Sequence, residues 1–173
     1  MSPEQLKALI RDVPDFPKPG ILFRDITPLL GNAAGFDAAV GHMAAAVKAQ
    51  RADGLVAIES RGFLFGAAVA QRLKLPLQLV RKPGKLPSQT VGITYALEYG
   101  SDRLEMHTDA VVKTHRYSIV DDVLATGGTA AAAAALVREL GGTVAGCAFL
   151  IELPFLRGRE RLQGISISSL MSY

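Results

Sequence analysis

The chain has 173 residues, 49% hydrophobic and 20% charged, a composition that fits one folded globular domain and excludes an intrinsically disordered chain. Nineteen Lys and Arg against sixteen Asp and Glu leave a net charge of +3. No segment carries the dense basic run that nucleic acid or a membrane surface would require, so any bound anion is expected to be small. One cysteine, Cys147, and three scattered histidines exclude an intramolecular disulfide and a cysteine-based zinc site. Charges near the N-terminus and the lack of any run of about 18 apolar residues predict a cytoplasmic protein with neither signal peptide nor membrane span.

Along the chain, Ser2 as N-cap, Pro3 at the first helical position and Gln5 in the capping-box position open a helix. Its apolar face, Leu6, Leu9, Ile10 and Val13, predicts that it runs to about Pro14. Pro14, Pro17, Pro19 and Gly20 then dictate irregular backbone, and Leu22-Phe23-Arg24 is expected to stay out of helix and sheet with its backbone groups unspent. Residues 33–50, rich in alanine, read as a long helix. Leu55–Ile58, Leu77–Val80, Tyr117–Val120 and Val144–Ile151 read as strands, and Arg61–Leu73 and Thr129–Leu140 as helices. That alternation predicts an α/β fold with a central parallel sheet flanked by helices. Val91, Ile93, Tyr95, Leu97 and Tyr99 recur at period 2, Gly100-Ser101-Asp102 reads as a turn, and Leu104 and Met106 resume the alternation. An antiparallel hairpin is therefore expected beside the sheet. The alternating segment from Ile165 to Leu170 has no strand partner that the sequence identifies.

The most informative string is Ser118-Ile119-Val120-Asp121-Asp122-Val123-Leu124-Ala125-Thr126-Gly127-Gly128-Thr129, an apolar strand that ends in two acids and turns through glycines into a helix. Gly127 and Gly128 let backbone N–H groups approach an anion, the helix N-terminus adds its unpaired donors, and Thr126 and Thr129 add hydroxyls, so the turn suits a phosphate. Two carboxylates at the carboxyl end of a strand suit ribose hydroxyls or a hydrated Mg²⁺; piece by piece, the same residues also read as a polar strand end and a helix cap.

Taken whole, Asp121-Asp122-x-x-Ala125-Thr126-Gly127-Gly128-Thr129 resembles the ribose-5-phosphate signature of the type I phosphoribosyltransferases; it has neither a Walker-loop ending nor a GxGxxG turn. Ile58-Glu59-Ser60-Arg61-Gly62-Phe63 offers a second strand-to-helix turn with a planar guanidinium, and Arg81-Lys82-Pro83-Gly84-Lys85-Leu86-Pro87 places three cations around a Pro-Gly turn. Alone, one is an ordinary turn and the other a solvated loop. Together with the phosphate turn they describe a ligand with a phosphate at one end and a pyrophosphate at the other, such as phosphoribosyl pyrophosphate. The lead from Phe16 to Ile26, the Ser60–Gly66 string, the basic loop and Tyr95-Ala96-Leu97-Glu98-Tyr99-Gly100 extend the resemblance, over nearly the whole chain, to the adenine-specific members of that family.

The resemblance implies one phosphoribosyltransferase domain over residues 1–173, with a small hood from about residues 1–30 helped by the C-terminal segment, and a flexible loop. It implies transfer of the 5-phosphoribosyl group to adenine, giving AMP and pyrophosphate, with Mg²⁺ held mainly through substrate and Asp121 and Asp122 as candidate protein ligands. Asp121, Asp122, Ala125, Thr126, Gly127, Gly128 and Thr129 would hold the ribose 5-phosphate. Glu59, Ser60, Arg61, Arg81, Lys82 and Lys85 would hold the pyrophosphate, with Arg61, Lys82 and Lys85 also stabilising its departure. Leu22, Phe23, Arg24 and Leu153 would enclose the base. By its spacing alone Glu98 reads as a solvated hairpin acid; the resemblance makes it the proton carrier. A homodimer in which Arg81 reaches across the interface is implied too, with no nucleic-acid or membrane partner. His107, His115, Cys147 and the Arg157–Arg161 stretch are assigned no chemistry. A phosphoribosyltransferase for another base, or a regulator that senses phosphoribosyl pyrophosphate, are the alternative functions.

Overall fold

The capping box closes at the N-terminus: Ser2 Oγ accepts from the Gln5 amide at 3.3 Å and Gln5 Oε1 from the Ser2 amide at 2.9 Å. It opens α1 (Pro3–Lys7). The computed structural model describes residues 1–96 and 100–173, grouped into two units, Met1–His42 and Met43–Tyr173.

In the first unit α1 stops well short of Pro14. Leu9 and Ile10 donate to the carbonyls of Leu6 and Lys7 at 2.9 and 3.1 Å, tightening the end of the helix into 3₁₀-type bonds. The chain then enters β1 (Arg11–Pro14), which pairs antiparallel with β2 (Leu22–Asp25). The reason lies across the pair. Arg11 stands opposite Asp25 and Asp12 opposite Arg24, and both pairs form salt bridges, so opposite charges fix the register. This corrects two expectations, the helix running to about Pro14 and the unpaired Leu22-Phe23-Arg24. Pro17 and Pro19 occupy the connection between the strands, while Pro14 is the last residue of β1. After β2 come α2 (Thr27–Leu30) and α3 (Ala33–Ala49), whose residues from Met43 onward are counted with the second unit; at its start Asn32 Oδ1 accepts from the Gly35 amide at 2.9 Å.

In the second unit the order is β3 (Gly54–Ile58), α4 (Gly62–Leu73), β4 (Leu77–Val80), β5 (Thr90–Ala96), β6 (Ser101–His107), β7 (Arg116–Leu124), α5 (Gly128–Glu139), β8 (Thr143–Glu152) and β9 (Ile167–Ser172). Five strands form one sheet in the order β4-β3-β7-β8-β9, every pair parallel. The expected parallel α/β sheet is present. β3 is buried along its whole length and β8 from Gly146 to Glu152, as befits the inner strands of a parallel sheet. The final alternating segment finds its partner as β9, an edge strand beside β8.

The hairpin β5–β6 pairs Thr90 with His107 through to Ala96 with Ser101. Ser101 and Asp102 therefore belong to β6 and not to the turn. Leu104 and Met106 from the hairpin are buried in one cluster with Ile119 and Phe149 of the sheet and Leu136 and Val137 of α5. The alanines of α5 make this possible: Ala130, Ala132, Ala133 and Ala134 are buried, and side chains this small let a helix lie close to its neighbours.

Candidate active site

Counting outward from β3, the chain adds β4 on one side and β7 on the other, so the direction of winding reverses between β3 and β7. In an open parallel sheet such a reversal opens a crevice at the carboxyl ends of the two strands. The turns leaving those ends are Glu59–Arg61 after β3 and Ala125–Gly127 after β7. They are the two turns that the sequence marks for anions.

Gly127 caps α5 in the left-handed region, with φ +79°. The first helical bond runs from the Ala131 amide to the Gly127 carbonyl at 2.9 Å, so the amides of Gly128, Thr129 and Ala130 have no acceptor within the helix. A cavity of about 70 Å³ lies at this turn, lined by Asp121, Leu124, Ala125, Thr126, Gly127 and Thr129 among others. The turn rests backbone on backbone: a Cβ on Gly127 would collide with the carbonyl oxygen of Gly158, and one on Gly158 with that of Ala125. Gly158 is in turn fixed by its neighbour. Arg159 holds the buried Glu152 in a two-pronged pair at 2.6 and 2.7 Å.

The hydrogen bond from Arg159 keeps the Glu152 carboxyl below its ordinary value near 4.5. A depressed folded value adds stability above the unfolded pKa, and that stability is lost as pH falls through the folded one. Glu152→Gln is therefore expected to lower the urea midpoint at neutral pH and to flatten its decline below about pH 4.5. Parallel midpoint-against-pH curves for the two proteins would contradict this role.

Asp121 and Asp122 sit inside β7, which continues to Leu124, and so precede the strand end where the sequence places them. Asp122 is buried and paired with Arg61. Burial, and next the charge of Asp122, push the Asp121 carboxyl well above its ordinary value. A Cβ on Gly62 would stand 2.6 Å from Asp121 Oδ1, so only glycine lets the start of α4 approach this acid. The basic loop is similarly tied to carboxylates. Glu59 Oε2 accepts from Arg81 Nε at 2.8 Å and from the Lys82 amide at 3.0 Å, Lys82 Nζ pairs with Asp102, and Lys85 is exposed. Arg81 also exchanges backbone hydrogen bonds with Glu105 at 2.9 and 2.8 Å, so the loop is fastened to the hairpin.

Of the residues expected to take the base, Phe23 meets Phe16 edge-on at 5.1 Å, while the Arg24 guanidinium is bound to Asp12. An antiparallel pair uses the peptide groups of alternate residues, so β2 keeps half of its N–H and C=O groups on the edge away from β1. Leu153, in the second unit, is partly buried and donates its amide to Leu124 at 2.9 Å. Glu98 lies outside the described residues, with Leu97 and Tyr99.

Several neighbours of these turns escape the sequence reading. Arg159 and Arg161 fall in a stretch assigned no chemistry, read as solvated or as the rim of a dimer, and both are exposed. Yet Arg159 clamps Glu152, and Arg161 Nη1 lies 3.4 Å from where a Cβ on Gly128 would be. Arg157 and Arg161 also line a larger cavity of about 420 Å³ with Ala96, Thr126, Phe155, Leu156 and Glu160. The available signal was Gly158 between two arginines, in the segment that follows β8, the strand that neighbours β7. Cys147 is buried in β8, and burial pushes its thiol up to about 12, in keeping with its assignment to no chemistry.

Known proteins resemble this arrangement throughout. The family model for the phosphoribosyl transferase domain matches residues 30–164. An adenine phosphoribosyltransferase from Acidobacterium capsulatum is 53% identical over 170 residues, covering 98% of this chain and 94% of that protein. The crystal structure of adenine phosphoribosyltransferase from Thermoanaerobacter pseudethanolicus superposes with a TM-score of 0.97 at 50% identity, covering 99% of this chain and all of that one. That from Saccharomyces cerevisiae, solved with adenine and an imino-altritol bisphosphate, gives 0.90 at 38% identity, covering 97% of each chain. With relatives of one activity matching it nearly end to end, the chain belongs to the phosphoribosyltransferase family, among its adenine phosphoribosyltransferases.

Proposed function

We propose that this chain transfers the 5-phosphoribosyl group from phosphoribosyl pyrophosphate to adenine, releasing pyrophosphate and forming AMP in purine salvage. The observation that carries the reading is the glycine turn into α5, set beside the Arg61 turn at the reversal point of the sheet.

The bond from the anomeric carbon to pyrophosphate breaks as a purine ring nitrogen bonds to that carbon from the opposite face, and the sugar passes through an oxocarbenium-like state. No protein nucleophile is needed, so the work is positioning and electrostatics. We assign the 5-phosphate to Ala125, Thr126, Gly127, Gly128 and Thr129, and the ribose hydroxyls to Asp121 and Asp122. The departing pyrophosphate goes to Glu59, Ser60, Arg61, Arg81, Lys82 and Lys85. The ring nitrogen proton goes to Glu98. Leu22, Phe23, Arg24 and Leu153 receive the base, with the hood formed from about residues 1–30 and the C-terminal segment. Because Asp12 occupies the Arg24 guanidinium, the backbone of β2 is the part suited to read the edge of adenine.

Among the described residues no group of three or more His, Cys, Asp or Glu could hold a metal ion, and Asp122 already faces Arg61. That donor set fits Mg²⁺ bound through substrate oxygens and water with one or two carboxylates, the usual mode for this ion. When bound, Mg²⁺ supplies charge neutralisation at the pyrophosphate. No helix among the described residues is long and apolar enough to cross a membrane. A cytoplasmic homodimer with Arg81 reaching the partner's site completes the proposal.

The test is a panel of bases with phosphoribosyl pyrophosphate and Mg²⁺, following pyrophosphate release. Adenine presents a donor and an adjacent acceptor where hypoxanthine and guanine present the reverse, so a backbone edge that pairs with adenine leaves oxopurines with unpaired groups. Such sites discriminate by roughly 10⁴–10⁵. Equal use of hypoxanthine, guanine or orotate would remove adenine from the assignment, and no pyrophosphate release with any base would remove the transfer itself.

A further inference from the structure

Among the described residues, a chain of polar contacts joins the basic loop to the phosphate turn through the hairpin. Lys82 Nζ pairs with Asp102 Oδ2. The Tyr95 hydroxyl donates to the same oxygen at 3.2 Å and lies 3.2 Å from Thr129 Oγ1. Asp102 Oδ1 accepts the Arg103 amide at 2.8 Å. Hydrogen counting gives the chain a direction. An ionised carboxylate only accepts and a tyrosine hydroxyl carries one hydrogen, so Tyr95 spends its hydrogen on Asp102 and Thr129 must donate to Tyr95. The Lys82 ammonium has three hydrogens; Asp102 takes one, and two are left for an anion.

We propose that Asp102 and Tyr95 are positioning residues, which hold the Lys82 ammonium at a set place relative to Thr129 so that the two anion-holding segments form one template. This rests on the pyrophosphate role proposed for Lys82. Its ligand class is a sugar carrying a phosphate and a pyrophosphate at a fixed separation. The electrostatics agree with the geometry: the Lys82 hydrogen bond holds the Asp102 carboxyl down, and burial pushes the Tyr95 phenol up, so the acceptor stays ionised and the donor keeps its hydrogen. A phosphate that draws the Thr129 hydrogen to itself leaves Thr129 Oγ1 free to accept from Tyr95. Asp102 then depends more heavily on Lys82. Filling the phosphate turn thereby steadies the cation at the other end of the ligand.

The test measures KM for phosphoribosyl pyrophosphate and for adenine, and the calorimetric Kd of inorganic pyrophosphate with Mg²⁺. The proteins are wild type, Asp102→Asn, Asp102→Glu, Tyr95→Phe, Lys82→Ala and the Asp102→Asn/Lys82→Ala double variant. Asp102→Asn is expected to weaken both phosphorylated ligands roughly tenfold, the scale of a lost charged hydrogen bond, with KM for adenine unchanged. That loss should vanish in the Lys82→Ala background, because partners in one chain are not additive. Asp102→Glu should recover part of it, and Tyr95→Phe should weaken phosphoribosyl pyrophosphate while sparing adenine. Tighter pyrophosphate binding by Asp102→Asn would mean that Asp102 competes with the anion for Lys82, and would overturn the proposal. So would an equal loss with and without Lys82, or a parallel shift in KM for adenine. A wild-type protein that binds neither phosphorylated ligand defeats the proposed function instead; wild-type binding left unaltered by Asp102→Asn defeats only the positioning role.

Discussion

Replacing Gly127 with valine is expected to abolish measurable binding of phosphoribosyl pyrophosphate and to lower Tm by several degrees. Two separate costs act at this position. The backbone holds φ at +79°, a region that costs an L-residue about 1–2 kcal/mol and is worse for a β-branched side chain. The added Cβ would also run into the carbonyl oxygen of Gly158, and that is a backbone atom, unable to rotate away. The turn can relieve the collision only by moving, and a shift of about 1 Å is enough to misalign a preorganised anion cradle. Calorimetric titration beside thermal melting separates the two effects. Gly164→Val provides the control, since Gly164 also holds a positive φ, +76°, but a Cβ there would meet nothing within 4 Å. Wild-type affinity in folded Gly127→Val would mean that the phosphate is held elsewhere.

Glu98→Gln is expected to lower kcat by about 10²–10⁴-fold, the usual worth of a general acid or base, while KM for adenine changes little. The amide keeps the size of the carboxylate and can still hydrogen-bond to the base, but it cannot take the ring proton. Glu98→Leu should lose the hydrogen bond too and fall further in both parameters. The proton role also predicts that the low-pH limb of kcat, set by a carboxylate that must be ionised to accept a proton, disappears in Glu98→Gln. An unchanged kcat and pH profile would return Glu98 to the status of a solvated hairpin acid.

The sheet was legible in the sequence because its inner strands carry apolar stretches, fully buried in β3 and mostly buried in β7 and β8, each followed by a segment with helical period or a turn. Leu77–Val80 matches its observed strand at both ends. The glycine turn between β7 and α5 was legible for another reason: two adjacent glycines between an apolar run and a helical period mark a tight strand-to-helix turn. The N-terminal lead was not. Ile10 and Val13 fit a helical period locally, whereas the pairing of Arg11 with Asp25 and Asp12 with Arg24 acts between residues more than ten positions apart, beyond any window of periodicity. The same limit hid the ion pairs of the site. Arg61 with Asp122, Arg81 with Glu59 and Lys82 with Asp102 join residues that come together only when the sheet and hairpin are in place, and the sequence could supply the cations but not their partners.

Those three pairs bear on which molecules the site leaves alone. Each cation stands within a few ångströms of a carboxylate, so at a distance the cluster looks like a set of opposed dipoles, whose field decays much faster than that of bare charges and is screened within about 8 Å at physiological salt. A long polyanion such as RNA, which relies on many weak contacts to an extended positive surface, gains almost nothing from such a patch. A compact ligand that brings several oxygens to within hydrogen-bonding range feels each cation individually. If the cluster takes phosphoribosyl pyrophosphate as proposed, the carboxylates beside the cations act as a filter on ligand size.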